Sequence, residues 1–333
     1  MRFRWVQCQV DWLRSQRTAN DVRAALKVLP ATLEDTYSAM LNRVQETDKH
    51  IAQAVLLWLS YAITPLTLSE LCEIVVVKEC STTIDDDDRL QDEYIIPEIC
   101  QGLVTYNKNG DYFTLAHFSV KEYLTSPRRK EENSFYFIER KDAHTKLAAK
   151  CLTYLGFSAF EDGACDDETF IERHLSWPLL DYATWSWAAH IKALGNNIGQ
   201  TLRQQIYNFV ATYKKPNGGQ YRSWIRARYA GHQFLESPPL YYMCSLGLTA
   251  IVREMIEVDP NVDVNLVGGR FQSPIVQVAA YRGHYETVKL LLEAGSDPNM
   301  PNIRGETALF WADLMGYVKI QELLLEHHAI SEP

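Results

Sequence analysis

Hydrophobic positions recur with a helical period along most of the chain, broken once by a short stretch in which they alternate. Phe3, Val6, Val10 and Leu13 make the first helical stripe, with no start signal ahead of it. Thr32-Leu33-Glu34-Asp35 reads as an N-cap with an acidic first turn, and Leu33, Tyr37, Met40, Leu41 and Val44 follow at helical spacing. Ile51, Val55, Trp58 and Leu59 predict a buried helix that stops before Pro65. Thr67 and Glu70 form a capping box opening a second helix through Leu71, Cys72 and Val75. A third helix is expected from Ile95 to Gln101, ended by Gly102. Residues 103–106 and 112–115 then alternate around Asn107-Lys108-Asn109-Gly110-Asp111, the pattern of a β-hairpin with a glycine turn.

Three helices followed by a hairpin is the element order of a winged helix. After the wing, Ser119 and Glu122 read as a further capping box, which would put His117 just upstream of a helix N-terminus. The next stretch is helical and rich in aromatics. Its stripes are Ala143, Leu147, Ala148, Cys151, Leu152 and Leu155, then Tyr182, Trp185, Ala189 and Ile191 up to Gly195. A third helix from about Thr201 to Tyr213 stops at Pro216-Asn217-Gly218-Gly219. Beyond it a repeat sets in. Leu240, Val276 and Leu309 each stand seven residues before a glycine, at Gly247, Gly283 and Gly316, so these glycines lie 36 and 33 residues apart. An apolar edge follows each of them, at Met255-Ile256, Leu290-Leu291-Leu292 and Leu323-Leu324-Leu325. Helix–turn–helix content at a period near 33 indicates a stacked array. The middle unit, Ser273 to Asn299, resembles the ankyrin repeat, with residues 274–280 a loose match to its Thr-Pro-Leu-His-x-Ala pattern. Asp263-Val264-Asn265 and Asp297-Pro298-Asn299 are matching exits. The first and third units carry bulky Tyr241-Tyr242-Met243 and Phe310-Trp311, as terminal repeats that cap a stack would, or because the chain stops before a last exit. By the same resemblance, His284 after Gly283 is expected to bridge neighbouring repeats through backbone hydrogen bonds. The resulting expectation is a mostly α chain: helical segment 1–48, winged helix 49–127, helical connector 140–236, and about three ankyrin repeats over 237–333.

Composition narrows the function. The 333 residues are 47% hydrophobic and 23% charged, enough for several cores, and the net charge of -9 disfavours a phosphate-seeking surface. The third helix, where a DNA-reading winged helix presents basic residues, offers Asp92, Glu93 and Glu98 instead, so no nucleic-acid partner is expected. Arg128-Arg129-Lys130 runs into Glu131-Glu132 and reads as a solvated loop, as does Asp85 to Asp88, which lacks the glycine and distal glutamate of a calcium loop. Seven scattered cysteines without a C-x-x-C pair, mostly in apolar helical patterns, suit buried reduced thiols in a cytoplasmic protein. The longest apolar run, Ile51 to Ile63, is too short to span a bilayer, so no membrane partner is expected. No metalloprotease, nucleophile-elbow or P-loop motif occurs, and adjacent His327-His328 diverge by about 100° on a helix, so neither an enzyme, a cofactor nor a metal site is expected.

The opening residues 3–13, then Leu29-Pro30 with Thr32-Leu33 and Tyr37, then residues 117–124 together resemble the region after the nucleotide-binding core of fungal NACHT-type proteins. These are NOD-like receptor relatives that include the vegetative-incompatibility group, many with C-terminal ankyrin repeats. The resemblance covers about residues 1–125. It implies a chain beginning just downstream of an NTPase core, which would sit in cis or in trans. The winged helix would then couple nucleotide state to domain arrangement. It also implies that His117 contacts the β-phosphate of bound ADP, favoured by a helix N-terminus. The alternative for His117 is a cap or a hydrogen bond to a carbonyl. The repeats would bind a protein partner through Tyr281, Arg282, Met300, Asn302 and Arg304, or would only cap the connector. A non-enzymatic interaction and regulatory module of a NACHT–ankyrin signalling protein is the expectation, and an incomplete piece of a nucleotide-dependent switch ATPase or GTPase, its P-loop core upstream or on another chain, stays open beside it.

Overall fold

The computed structural model describes residues 2–14, 17–27, 29–131, 135–229, 234–259 and 261–330, and these are mostly helical. Side chains of Phe3, Cys8 and Trp12, and Glu132 of the expected basic–acidic loop, lie outside the described residues. Contacts divide the chain into one unit of residues 1–78 with 84–147 and a second of residues 79–83 with 148–333.

In the first unit the stripes become α1 (Arg2–Arg14), α2 (Ala19–Lys27) and α3 (Leu33–Leu41). Thr32 caps α3 as expected, its hydroxyl accepting from Asp35 N at 3.1 Å. The Leu29–Pro30 turn holds α1, with Trp5 Nε1 donating to Pro30 O at 3.2 Å and Gln9 Nε2 to Thr36 Oγ1 at 2.9 Å. Helix α4 (Lys49–Tyr61) packs on α5 (Leu68–Val76), whose Thr67–Glu70 capping box is complete. The expected third helix is cut to a 3-10 turn at Glu93–Ile95 and one turn of α6 (Ile96–Ile99). Pro97 supplies no amide to an earlier turn, and Gln101 and Gly102 both take positive φ, +52° and +75°, which ends the coil.

The wing is β1 (Val104–Asn107) against β2 (Tyr112–Leu115), antiparallel with Val104 opposite Leu115, and Leu66 adds a single bridge to Phe113. The second capping box does not form. Helix α7 (Phe118–Leu124) begins one residue after His117, and His117 itself is the cap. The basic run is not a loop but helix α8 (Pro127–Glu131), with Arg128 Nη1 3.3 Å from Glu34 and Arg129 over the Tyr123 ring at 4.9 Å.

Helix α9 (Arg140–Leu155) leads into the second unit, with α10 (Asp167–Ser176), α11 (Leu180–Leu194), α12 (Gln200–Ala211) and α13 (Gly219–Arg228). Gly195 ends α11 with φ +56°. The core here is aromatic: Trp187 and Trp224 meet at 5.6 Å between ring centroids, and Trp224 meets Tyr242 of the first repeat at 5.8 Å. Tyr221 donates its hydroxyl to Ser237 O at 2.9 Å. One column of rings therefore runs from the connector into the repeats.

The repeats are three helix pairs, α14 (Pro239–Leu246) with α15 (Thr249–Val258), α16 (Ile275–Tyr281) with α17 (Tyr285–Glu293), and α18 (Ala308–Leu314) with α19 (Val318–Glu326). The three glycines read from the spacing all have positive φ, +66°, +75° and +70°, where a side chain is strained. A finger of β3 (Val267–Gly268) and β4 (Ser273–Pro274) precedes the second pair. His284 Nε2 donates to Ser245 O at 3.0 Å, tying the second repeat to the first as expected. The Asp-x-Asn exits are clamps: Asp263 and Asp297 each accept the amide two residues on at 2.8 Å. Asn265 Oδ1 accepts from Asp297 N, and Asn299 Oδ1 from Ile330 N, both at 2.8 Å, so each joint repeats one unit later. His327 caps α19 and His328 turns out at φ +65°, so the pair sits past the helix rather than on it.

Candidate partner-binding groove

The inner helices α14, α16 and α18 stand side by side, and the finger closes over them. This places Tyr241, Gln277, Tyr281 and Trp311 on one surface with Arg270, Phe271 and Arg282, around a cavity of about 320 Å³. The finger is held close by two glycines. A Cβ on Gly269, at φ +68°, would fall 2.4 Å from the Tyr241 hydroxyl, and one on Gly268 2.7 Å from the Tyr241 ring. Gly269 N donates to the buried Ser237 Oγ at 2.8 Å, and Ile303 N of the next finger donates to Phe271 O at 3.1 Å.

The walls are aromatic and the charges positive. Tyr281 and Trp311 meet edge to face at 4.8 Å, while Tyr229 stacks on Tyr242 at 5.4 Å and on Phe234 at 5.0 Å. Phe271 carries the guanidinium of Arg304 at 3.6 Å and that of Arg270 at 5.4 Å, and Arg282 lies 5.2 Å over Tyr281. Such cation–π contacts hold an arginine flat while leaving its N–H edge to bond. Arg304 reaches Glu306 at 3.9 Å, but among the described residues no carboxylate pairs with Arg270 or Arg282, and none lines the cavity. Burial, with Tyr229 adding to it, pushes the Tyr241 and Tyr242 hydroxyls well up, so both stay protonated donors.

Among the described residues lining the cavity, one buried side-chain polar atom has no partner. Gln277 is 1% exposed, its Nε2 donates to Glu306 O at 3.0 Å, and its buried Oε1 has no partner. A carbonyl oxygen only accepts, so Glu306 O fixes which end of the amide faces it and leaves the oxygen over. Leaving a buried acceptor unmade costs about 1–3 kcal/mol.

Of the residues read from sequence, Tyr281 and Arg282 line this cavity, and Arg304 reaches its rim through Phe271. Met300 is half-buried outside it. Asn302 lies at the wall with 6% exposure and its amide is spent on its own turn, Oδ1 accepting from Arg304 N at 2.8 Å and Glu306 N at 3.1 Å. Arg270, Phe271, Gln277 and the ring pair Tyr229–Phe234 were missed. A signal for Arg270 existed: it precedes Arg304 by 34 residues, the offset that separates the two Asp-x-Asn exits.

His117 is half-buried in the first unit. Its Nδ1 accepts from Ser119 N at 3.2 Å and meets Ser119 Oγ at 2.7 Å, and that hydroxyl meets Tyr37 OH at 2.8 Å. With Nδ1 accepting, the neutral ring carries its proton on Nε2. Among the described residues no group of three or more His, Cys, Asp and Glu is placed to hold a metal, and no helix is long and apolar enough to cross a membrane.

Two domain classes are present. Residues 38–136 match the winged helix domain of the GPI inositol-deacylase type, and residues 240–332 match ankyrin repeats in three copies. Both are domain types that in general carry no catalysis. The chain is 27% identical over 302 residues to azaphilone pigments biosynthesis cluster protein L of Monascus ruber, covering 84% of this chain and 63% of that protein. Protein HOS4 of Saccharomyces cerevisiae is 32% identical over 127 residues, 37% of this chain and 10% of its own length. Cyclin-dependent kinase 4 inhibitor B of Mus musculus is 42% identical over 64 residues, 19% and 48%. The chain thus spans less than two thirds of these relatives.

Proposed function

We propose that this chain is a non-enzymatic protein-interaction module whose ankyrin stack takes a partner in the aromatic–arginine groove. The winged helix serves as the element that couples that binding to the rest of the assembly. The working parts are a helical segment at 1–48, the winged helix at 49–127, the connector at 140–236 and the repeats at 237–333. The observation that carries this reading is the groove itself: a cavity walled by rings, edged by two arginines with no carboxylate partner among the described residues, and closed by a finger held under tight glycine contacts. A surface that only capped the connector has no need of unpaired guanidinium groups. Depletion of acids and enrichment of Tyr, Trp and Arg are the marks of an interface centre. A photo-crosslinking phenylalanine analogue at position 281 tests it in cells. Protein adducts are expected, and they should vanish in the Arg270→Glu, Arg282→Glu variant. Adducts unchanged by that variant, or none at all, would sink the groove as a docking site.

A second reading is favoured by the His117 ring, whose Nε2–H is left over once Ser119 has taken Nδ1. By the NACHT resemblance this histidine would sense a nucleotide phosphate held by an NTPase core in cis or trans, and the protein would be a cytoplasmic signalling switch. The sequence holds no P-loop of its own. Calorimetry of the chain alone with ADP should therefore give no heat of binding. Binding that His117→Ala abolishes would show that the pocket is complete without a partner core.

A further inference from the structure

The groove has a charge and a hydrogen-bond pattern of its own, and these specify what fits it. The chain is acidic, at -9, yet the cavity is lined by Arg270 and Arg282 with no carboxylate opposite among the described residues, and Arg304 is stacked beside them. That local reversal of sign is complementary to an anionic segment and repels a basic one. Behind the arginines, Tyr281 and Trp311 leave apolar room on the scale of a side chain, in a cavity of about 320 Å³. Gln277, which lines the cavity, keeps a buried Oε1 without a hydrogen-bond partner. An extended peptide supplies all three requirements in adjacent residues: a carboxylate, an apolar side chain, and a backbone N–H between them.

We propose, resting on the docking reading above, that the groove holds an extended acidic segment of a partner protein. Its carboxylates pair with Arg270 and Arg282, one apolar or aromatic side chain enters the cavity beside Trp311, and a backbone N–H donates to Gln277 Oε1. Arg270 and Arg282 select for charge, while Gln277 sets the register of the peptide. A second copy of this acidic chain is disfavoured by the net repulsion between copies.

The test is a short random-sequence peptide library displayed on phage and panned on the full chain. Binders are sorted by whether Trp311→Ala abolishes them. Groove-dependent binders are expected to share an Asp or Glu next to an apolar residue. They should weaken about tenfold or more in the Arg270→Glu, Arg282→Glu variant, since both residues are exposed and their loss leaves the fold intact. Methylating the backbone nitrogens of the best peptide one at a time should reveal one position costing about threefold to tenfold against the parent chain and nothing against Gln277→Leu. Groove-dependent binders that are neutral or basic overturn the acidic-segment proposal and leave the docking reading standing. An absence of groove-dependent binders overturns both. Self-association that Arg282→Glu removes, seen by sedimentation, gives the groove to a second copy and likewise overturns the proposal.

Discussion

His284 carries the joint between the first two repeats on one ring nitrogen, and its titration reports on that joint. Burial, then Lys192 and Arg282, hold its pKa below the usual imidazole value, while the bond to Ser245 O works the other way. The folded pKa lies under the unfolded one, so the unfolded chain binds more protons between them and stability rises with pH. The contribution is present above about 6.5, the unfolded value, and is lost as pH falls through the folded value. Urea midpoints are expected to drop on acidification in that window, and the drop should shrink in His284→Gln, whose amide still donates to Ser245 O. An unchanged slope in the variant would exclude His284 as the source. His144, lowered by burial, Arg140 and Lys121, adds a drop of the same sign. This histidine was legible from the Gly283-His284 pair and the repeat resemblance. Asn302 was not: a polar residue in a finger reads as exposed, and only folding shows its oxygen taking two amides of its own turn.

At the level of elements, short side chains decide where helices start and how repeats lock. Thr67 and Glu70 cap α5 as the pattern demands, but Ser119 and Glu122 do not cap α7. His117 reaches the Ser119 amide first, which frees the serine hydroxyl for Tyr37, 82 residues away. A local motif loses when a neighbour offers the same bond and a distant group takes the one released. The exits behave differently because their partner lies one repeat away, at a distance the period itself sets. Asn265→Ala removes the acceptor for Asp297 N at an interior joint and is expected to cost about 1 kcal/mol. That corresponds to a melting shift of about 2–4 °C in a unit of this size. Faster hydrogen exchange at Asp297 N should accompany it. Asn299→Ala removes the matching acceptor for Ile330 N and should cost a similar amount.

For the whole molecule, the cysteines give a readout of foldedness. Cys72, Cys100, Cys151 and Cys244 are buried free thiols, Cys165 is half-buried and Cys80 is exposed. Burial pushes Cys72 and Cys100 up to about 12, and Cys151 and Cys244 higher, so none is a thiolate near neutrality. Alkylation mapped by peptide mass should therefore mark Cys80 in the native chain and the four buried residues only after denaturation. Early labelling of Cys244 would show that the first repeat opens on its own. Charge is also organised at this scale: an acidic chain keeps an unpaired arginine surface on one side of its repeat stack, where screening by salt should weaken any acidic partner.

Hydrophobic spacing, turn residues and the repeat resemblance determined the helical class, the hairpin, the repeats and the places of their glycines, because each rests on bonds or side-chain spacing within one turn or one repeat. Tertiary structure decided the shortening of α6, the cap on α7 and the continuity of connector and repeats through Trp187, Trp224 and Tyr242. It also decided the groove. Arg270, Phe271, Gln277 and Trp311 come from a finger and two helices, and the unpaired oxygen of Gln277 exists only because Glu306 O has claimed the other end of its amide. Such a site depends on what remains unbonded after every neighbour is placed, and no stretch of sequence records that remainder.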